Sequence, residues 1–171
     1  MKLIITGTPG TGKTTVARIL GEKTGWPVIS DREIAKRSVV DLRSFRITAF
    51  NKIRYLRDAI LEGHLLCEVR LPVDRVFVLR TRPDVLLERL RKRGYDQKKL
   101  WKNIEAEAID YCLIRAEEKY DNVDQIDTTN RKPEEVAELI LHVLERGIRI
   151  YEDVDWSDTF ENMLLNRHGG T

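Results

Sequence analysis

The chain has 171 residues, of which 42% are hydrophobic and 34% are charged, and its formal net charge is +2 at pH 7. This length suits one domain with one sizeable core, and so small a net charge does not by itself indicate a nucleic-acid-binding protein. No apolar run approaches the roughly 18 residues that a membrane helix needs. We therefore expect neither a membrane span nor a cleavable signal, and we expect a cytoplasmic location.

The two cysteines, Cys67 and Cys112, each lie in an apolar stretch and lack the spacing of metal ligands. Buried, reduced thiols are the expected state of such cysteines in a cytosolic protein. The sequence also has no cluster of Cys and His residues, which argues against a structural zinc site.

The beginning of the chain carries a phosphate-binding motif. Residues 7–14, GTPGTGKT, match G-x-x-x-x-G-K-[ST] without a mismatch. The apolar residues 2–6 predict a buried parallel strand before the motif, and the apolar stripe of residues 14–23 predicts a helix after it. In this setting the loop amides bind phosphate oxygens, Lys13 supplies a charge to the β- and γ-phosphates, and the Thr14 hydroxyl can ligate Mg²⁺. The sequence therefore predicts a protein that binds a nucleotide.

After this motif the sequence alternates between predicted strands and helices. Further strands are expected at residues 27–29, 64–68, 75–79 and 123–127. A short helix is expected from Ser30 through Arg37. A second contains Ile53, Leu56 and Ile60 on one face and ends at Gly63. Three more are expected from Pro83 to about 92, over 97–120 and from Pro133 to about 146. Five apolar strands separated by helices predict an α/β phosphate-loop (P-loop) NTPase fold, which is a five-stranded parallel sheet with helices on both faces.

The site needs a second acid at the end of a neighbouring strand, where it can hold Mg²⁺ directly or through water. Glu62 and Glu68 both follow apolar residues. Choosing Glu62 would require a strand over residues 57–61, which would cut short the preceding helix. Glu68 leaves that helix intact with Gly63 as its end, so we favour Glu68 and expect His64, at the start of the strand, to be structural.

Basic side chains follow the predicted strands. Arg80 ends the strand at 75–79, which is expected to place it at the mouth of the site. A basic stretch around Gly94 predicts a short lid at about residues 92–102, which would close over the transferring phosphates, exclude water and stabilise charge. The alternative interpretation of this stretch is a solvated helix face.

Eight segments of the sequence occur in one colinear order that covers nearly the whole chain. They are TGTPGTGKTT at 6–15, FVLRT at 77–81, ERL at 88–90, RGY at 93–95, NIEAE at 103–107, DTTN at 127–130, KPEE at 132–135 and VDWS at 154–157. With these segments the chain resembles the adenylate kinase isoenzyme 6 type. This is a family of small nucleoside monophosphate (NMP) kinase-like proteins linked to maturation of the small ribosomal subunit.

The resemblance implies roles for particular residues. The residues that would bind the phosphates of ATP are Gly10, Gly12, Lys13, Thr14 and Thr15. Arg93 would be the lid arginine, and Lys132 would lie in the loop near the adenine. Residues 30–54 would form the acceptor-binding flap. The candidates for binding the acceptor NMP are Arg43, Arg46 and Arg80.

The chain is expected to depart from the family at the second acid. The family usually has Asp-x-His there, whereas the choice of Glu68 gives this chain Glu68-Val69-Arg70. Loss of the histidine removes support for an ATP-hydrolysis step assigned to it. Arg70 could instead hold the acceptor phosphate, which favours phosphoryl transfer over hydrolysis.

We therefore expect a single domain over residues 1–171 that transfers the γ-phosphoryl group of ATP to AMP or another NMP, with ATPase activity beside it. Lys13 and Arg93 would neutralise charge on the transferring group. Mg²⁺, held by Thr14 and through water by Glu68, would bridge the β- and γ-oxygens. We expect a monomer or a weak homo-oligomer.

Two other functions stay open. The first is a nucleotide-switched ribosome assembly factor with little kinase activity, since the resembled family is associated with rRNA maturation and with platform ribosomal protein eleven of the small subunit. Its binding surface could include the tail at about 148–171, although docking of that tail on the domain's own core is the favoured interpretation. The residues that would form the apolar face of a tail helix are Trp156, Phe160, Met163 and Leu164. The second is a phosphate-loop kinase for another small acceptor, such as shikimate or a coenzyme precursor.

Overall fold

A computed structural model describes residues 1–35 and 41–168, apart from the side chain of His168. Its centre is one parallel sheet. The strands are β1 (Lys2–Thr6), β2 (Val28–Ser30), β3 (Ala59–Glu62), β4 (Arg75–Arg80) and β5 (Val123–Asp127). They lie in the order β2-β3-β1-β4-β5, and each neighbouring pair is parallel. The predicted five-stranded parallel sheet is therefore confirmed.

Helices connect the strands. They are α1 (Lys13–Thr24), α2 (Asp31–Ile34), α3 (Leu42–Ile53), α4 (Pro83–Lys92), α5 (Gln97–Ala108), α6 (Tyr111–Glu117), α7 (Pro133–Arg146) and α8 (Ser157–His168). Ser30 and Glu33 form the predicted capping box at the start of α2. Arg37, the predicted end of that helix, lies outside the described residues, as do residues 36–40 of the predicted flap and 169–171 of the predicted tail.

The helices cover both faces of the sheet because the side chains of β1 alternate between two cores. Leu3 and Ile5 pack on one face in a cluster that contains Ile140 of α7. Ile4 points to the other face, where the cluster contains Phe45 of α3 and residues of α6. All three β1 side chains are buried, so β1 lies at the centre of the domain, where the sequence predicted a buried strand.

The third strand lies earlier in the chain than we predicted. β3 covers Ala59–Glu62, so the predictions of a helix through Ile60 and of a strand at 64–68 were wrong. Helix α3 ends at Ile53. Ile53 and Ile60 are both fully buried, but they belong to different cores on opposite faces of the sheet. Their helical spacing is therefore coincidental, and pairing with β1 and β2 determines the local structure.

The single helix predicted over residues 97–120 is two helices. α5 ends at Ala108, α6 begins at Tyr111, and between them Asp110 has a positive φ of 58°. The carboxylate of Asp110 accepts a hydrogen bond from the buried guanidinium of Arg80. This contact with β4 accounts for a break that no local sequence signal predicts.

The C-terminal helix α8 docks on the domain itself. Phe160 and Met163 pack against a cluster made by α4 and α5, which includes Leu90 and Ile104. Trp156, just before α8, is buried. The favoured interpretation of the tail is thus confirmed.

Two further expectations concern the thiols and membrane helices. Cys67 and Cys112 are free and buried, as predicted. Within the described ranges, no helix combines the length and the apolar character that crossing a membrane requires.

Candidate active site

The phosphate loop lies between β1 and α1, at the carboxyl end of the sheet. Gly10 and Gly12 have φ angles of 99° and 95°, which residues other than glycine rarely adopt. A Cβ atom on Gly10 would also lie 2.7 Å from Leu86 Cδ1, so the loop packs directly against α4. The loop thus has the glycine-dependent backbone that a phosphate cradle requires.

Lys13 is the first residue of α1, and its side chain folds back over the loop. Its Nζ atom donates a hydrogen bond to the Thr8 carbonyl at 2.8 Å, and only 8% of the residue is exposed. Burial lowers the pKa of the Lys13 ammonium, and the acidic groups around it, including Glu62, oppose that shift. Thr15, which follows Thr14 on the same turn, is partly buried.

The acid beside the loop is Glu62. It ends β3, which pairs directly with β1, and its Oε2 atom accepts a hydrogen bond from the Thr14 hydroxyl at 3.1 Å. Burial raises the pKa of the Glu62 carboxyl, and the nearby charge of Asp31 adds to this shift, against the Thr14 hydrogen bond.

A hydroxyl and a carboxylate are hard oxygen ligands that fit Mg²⁺. Among the described residues there is no group of three or more His, Cys, Asp or Glu side chains that could enclose a metal ion. Thr14 and Glu62 could hold such an ion by two oxygen ligands.

The prediction that Glu68 ends the strand beside the loop was wrong. Glu68 lies on a 3-10 turn, Leu65–Glu68, that follows β3. Its carboxylate accepts hydrogen bonds from the Tyr111 hydroxyl at 2.5 Å and from Arg115 Nε at 3.1 Å, both on α6. These bonds direct Glu68 toward α6, where it serves packing between the turn and the helix.

His64 regains a place in the site once Glu62 is the acid. Glu62-Gly63-His64 matches the Asp-x-His pattern of the resembled family with glutamate in place of aspartate, so the predicted loss of the histidine is not present, while the acid still differs. His64 Nδ1 lies 3.1 Å from Asp31 Oδ2. Burial acts to raise the pKa of Asp31, but His64, the Leu65 amide and the charge of Lys13 together lower it below its ordinary value.

Gly63 allows the close approach of β3 to Asp31. Its φ is 153°, and a Cβ atom there would lie 2.2 Å from Asp31 Cγ. The sequence analysis did not assign Asp31, Gly63 or His64 to the site. The acid-x-His pattern Glu62-Gly63-His64, with glycine at its middle position, was a signal that could have found Gly63 and His64.

Three of the predicted acceptor-binding arginines do not face the loop. Arg46 Nε donates to the Arg70 carbonyl at 3.0 Å, and both residues line a cavity of about 650 Å³ at the amino ends of β4 and β5, the opposite end of the sheet. Arg80 does end β4 at the correct edge, but it is 1% exposed and its Nε donates to Glu107 Oε1 at 2.8 Å. Arg46 and Arg70 therefore lie away from the predicted site, and Arg80 ends the predicted strand but has its guanidinium buried.

Arg89, which belongs to the basic stretch that the sequence left open between a lid and a solvated helix face, lies against the loop. Arg89 NH1 is 3.5 Å from the Gly10 carbonyl, and its NH2 donates to the Thr128 carbonyl at 3.2 Å. Burial lowers the pKa of Arg89, and the positive charge of Arg93 contributes to the shift. Arg93 caps the end of α4 and is exposed, a placement that suits a lid.

The remaining predicted residues lie at the surface. Lys132 precedes α7, after the loop that follows β5, and is exposed. Arg43 is exposed on the first turn of α3. Their roles toward the adenine and the acceptor stay predictions.

A parallel sheet in this order, with a phosphate loop after the central strand and an acid ending the strand beside it, defines the class of phosphate-loop nucleotide-binding proteins. Solved structures of the same fold include a deoxyadenosine kinase from M. mycoides with bound dATP. Its TM-score is 0.62 and its identity 17%, over 85% of this chain and all of that chain (100%). Shikimate kinase from Acinetobacter baumannii has a TM-score of 0.61 at 18% identity, over 85% and 93% of the two chains.

Sequence comparison narrows this class to a family. A family model described as an AAA domain matches residues 3–110. A protein of Pyrococcus abyssi named "Putative adenylate kinase" is 40% identical over 174 residues, which cover 96% of each chain. One of the same name from Methanocaldococcus jannaschii is 35% identical over 178 residues, 96% of this chain and 97% of the relative. The chain belongs to this family of archaeal adenylate kinase-like proteins.

Proposed function

We propose that the protein transfers the γ-phosphoryl group of ATP to AMP or another nucleoside monophosphate. The observation that carries this proposal is the contact between Thr14 and Glu62, because it sets a hydroxyl and a carboxylate beside a phosphate loop that also contains Lys13. Such a reaction needs positioning and electrostatic stabilisation from the protein, and no covalent intermediate. The names of the archaeal relatives point to the same reaction.

The donor nucleotide would lie over the phosphate loop. Backbone amides from Gly10 to Thr15 would bind its phosphate oxygens, and Lys13 would exchange the Thr8 carbonyl for a phosphate oxygen. Thr14 and Glu62 would hold Mg²⁺, which supplies charge neutralisation at the β- and γ-oxygens.

Arg89 and Arg93 would stabilise charge on the transferring group from the α4 side. Arg89 already lies within 3.5 Å of the loop carbonyl of Gly10. Arg93 is exposed at the end of the same helix, so closure of the lid would bring its guanidinium toward the phosphates and exclude water.

The acceptor would bind in a second cavity, of about 620 Å³, which opens beside the Thr14–Glu62 contact. Its lining includes Arg18 and Arg32, whose positive charges complement a phosphate. Arg32 also lies close enough to Glu62 to oppose the rise in its pKa. We therefore place the acceptor phosphate against Arg32, with Arg43 of α3 as a second contact from the flap.

His64 and Asp31 support hydrolysis of ATP as a second activity. The imidazole follows Glu62 by two positions and is held by the Asp31 carboxylate at 3.1 Å. A histidine in that position can orient a water molecule or accept its proton. The retained histidine thus restores the support for ATPase activity that the choice of Glu68 had removed.

Two assays on one preparation test the proposal. The first measures ADP formation from ATP with each member of a panel of nucleoside monophosphates, and the second measures release of inorganic phosphate from ATP alone. We expect ADP formation that depends on AMP or another monophosphate and exceeds phosphate release. Phosphate release that no monophosphate changes, with no additional ADP, would reject transfer and leave an ATPase.

A nucleotide-switched assembly factor is the second candidate. Ile47 and Phe50 on α3 are 52% and 42% exposed, and Arg43 and Arg46 lie on the same helix. Exposed apolar side chains among arginines are typical of a surface that binds a partner. The candidate partner is platform ribosomal protein eleven, with rRNA beside it. An affinity for the purified partner that differs between the ATP-bound and ADP-bound protein would support this function. An affinity that is the same with either nucleotide would reject it.

A further inference from the structure

Glu107 on α5 is a buried carboxylate that joins four parts of the chain. The residue is 2% exposed. Its Oε1 atom accepts hydrogen bonds from Arg80 Nε at 2.8 Å, from the Thr81 amide at 3.0 Å and from Trp156 Nε1 at 3.4 Å. Its Oε2 atom accepts a bond from the Thr8 hydroxyl at 2.6 Å. The carboxylate thus connects the phosphate loop to α5, to the end of β4 and to the C-terminal tail.

The two oxygens of Glu107 have separate partners. Arg80 is 1% exposed and its guanidinium pairs with Glu107 Oε1, so it compensates the buried charge of Glu107. The same guanidinium also contacts Asp110. Because a buried charge requires such compensation, the ion pair fixes where the carboxylate lies. Oε2 then faces the phosphate loop, where Thr8 is the side chain that donates to it.

Thr8 also contacts two other residues of the loop through its backbone, and one of them is Lys13. Its carbonyl oxygen accepts hydrogen bonds from Lys13 Nζ at 2.8 Å and from the Thr11 hydroxyl at 2.9 Å. Glu107 thus holds Thr8 by the Thr8 hydroxyl, and the backbone carbonyl of Thr8 fixes Thr11 and receives Lys13 until a phosphate oxygen replaces that carbonyl. A loop that is fixed before the ligand arrives loses less conformational entropy on binding it.

We propose that Glu107 is a positioning residue that pre-organises the phosphate loop for a nucleoside triphosphate by holding the Thr8 hydroxyl. The inference rests on the proposed function in that the ligand is ATP. It assigns to α5 and to the tail, through Trp156, a part in forming the donor site. Glu107 itself does not contact the nucleotide.

Substitutions at Thr8 test this role without disturbing the ion pair. Thr8→Val deletes the hydroxyl at nearly constant shape, Thr8→Ser retains a hydroxyl, and Thr8→Ala is a second deletion in case the valine variant does not fold. Asp110→Asn is the matched control, because it weakens the same Arg80 network without contacting the loop. Calorimetric titration with Mg·ATP and steady-state kinetics are measured for each, together with the thermal unfolding midpoint.

We expect Thr8→Val and Thr8→Ala to raise the Kd and the KM for ATP about ten-fold, the size of effect that loss of one hydrogen bond to a charged group produces. The turnover number at saturating ATP should fall less than that, and Thr8→Ser should restore the affinity. Asp110→Asn should lower the unfolding midpoint and leave the Kd unchanged.

The outcomes separate the inference from the proposed function. Should the wild-type protein bind Mg·ATP, and both hydroxyl-deleted variants bind it equally well, the positioning role is overturned while the proposed function stands. The positioning role is also overturned if Asp110→Asn weakens ATP binding as much as Thr8→Val, since the network would then act through stability alone. A wild-type protein that does not bind Mg·ATP overturns both.

Discussion

The Oγ1 atom of Thr14 lies 3.1 Å from the Oε2 atom of Glu62, which joins the first turn of α1 to the end of β3. Both residues lie at the carboxyl edge of the sheet, where ligands of open α/β sheets bind. The alternative acid, Glu68, is held instead by Tyr111 and Arg115. The two glutamates are therefore a matched pair for experiment.

Replacement of each glutamate by glutamine should separate catalysis from packing. We expect Glu62→Gln to lower turnover by about a hundred-fold or more, because a neutral amide would not balance the charge of the Mg²⁺ that we propose beside the phosphates. Glu68→Gln should retain turnover and lose about 1 kcal/mol of stability through weaker bonds to Tyr111 and Arg115. Kinetics at saturating ATP and AMP and urea unfolding measure the two effects. The reverse pattern would restore Glu68 as the metal ligand.

The raised pKa of Glu62 predicts an effect of pH on stability. Burial holds this pKa above its ordinary value of 4.5 in the folded chain. Such a group favours folding while it is protonated, and this contribution is lost as the pH rises through the folded pKa. Glu62→Gln should therefore have a larger free energy of unfolding than the wild type at pH 7, and the difference should shrink toward low pH. A variant that is less stable at pH 7 would contradict the assigned burial cost.

Lys13→Ala should abolish turnover. The ammonium is the mobile positive charge of the loop, and no other lysine of the described residues contacts the Thr8 carbonyl that it occupies. We expect a loss of about a hundred-fold or more in kcat. Lys23→Ala is the control, since Lys23 is an exposed residue of the same helix that pairs with Glu138. Near-normal transfer by the Lys13 variant would refute the assignment of the cradle.

Arg32→Ala and Arg70→Ala should differ in their effect on the acceptor. Arg32 lines the cavity beside Glu62, whereas Arg70 lines the cavity at the opposite end of the sheet. We expect Arg32→Ala to raise the KM for AMP by about ten-fold through loss of a charged contact. Arg70→Ala should change neither that KM nor the turnover. If only the Arg70 variant loses affinity for AMP, the acceptor lies elsewhere than we place it.

Local signals in the sequence account for what could be predicted. The phosphate motif, its flanking strand and helix, and the capping box at Ser30 each depend on neighbouring residues, and all three appear in the structure. β3 could not be placed in this way, because Ile60 and Leu61 are strand residues by virtue of pairing with β1 and β2, which lie far away in sequence. Because the strand was predicted at 64–68 and not at 59–62, Glu68 was chosen over Glu62 as the acid beside the loop.

The direction of side chains was the second feature that the sequence did not predict. The position of Arg80 at the end of β4 was predicted. The buried carboxylate of Glu107, which holds the Arg80 guanidinium in the interior, was not, because it is a contact between distant segments. Arg89 belongs to the basic stretch that the sequence left open between a lid and a solvated helix face, so its contact with the phosphate loop was not predicted. A basic residue on an amphipathic helix usually faces solvent, and the loop carbonyls that it contacts in the folded chain belong to other elements.

Titration with a dinucleoside pentaphosphate is the sharpest test of transfer between two nucleotides, because such a molecule spans a donor and an acceptor site at once. We expect one molecule to bind per chain, at least about a hundred-fold more tightly than ATP, since the second nucleotide binds at a high effective concentration. Binding no tighter than that of ATP alone would show that the chain has a single nucleotide site, and phosphoryl transfer between two nucleotides would be contradicted.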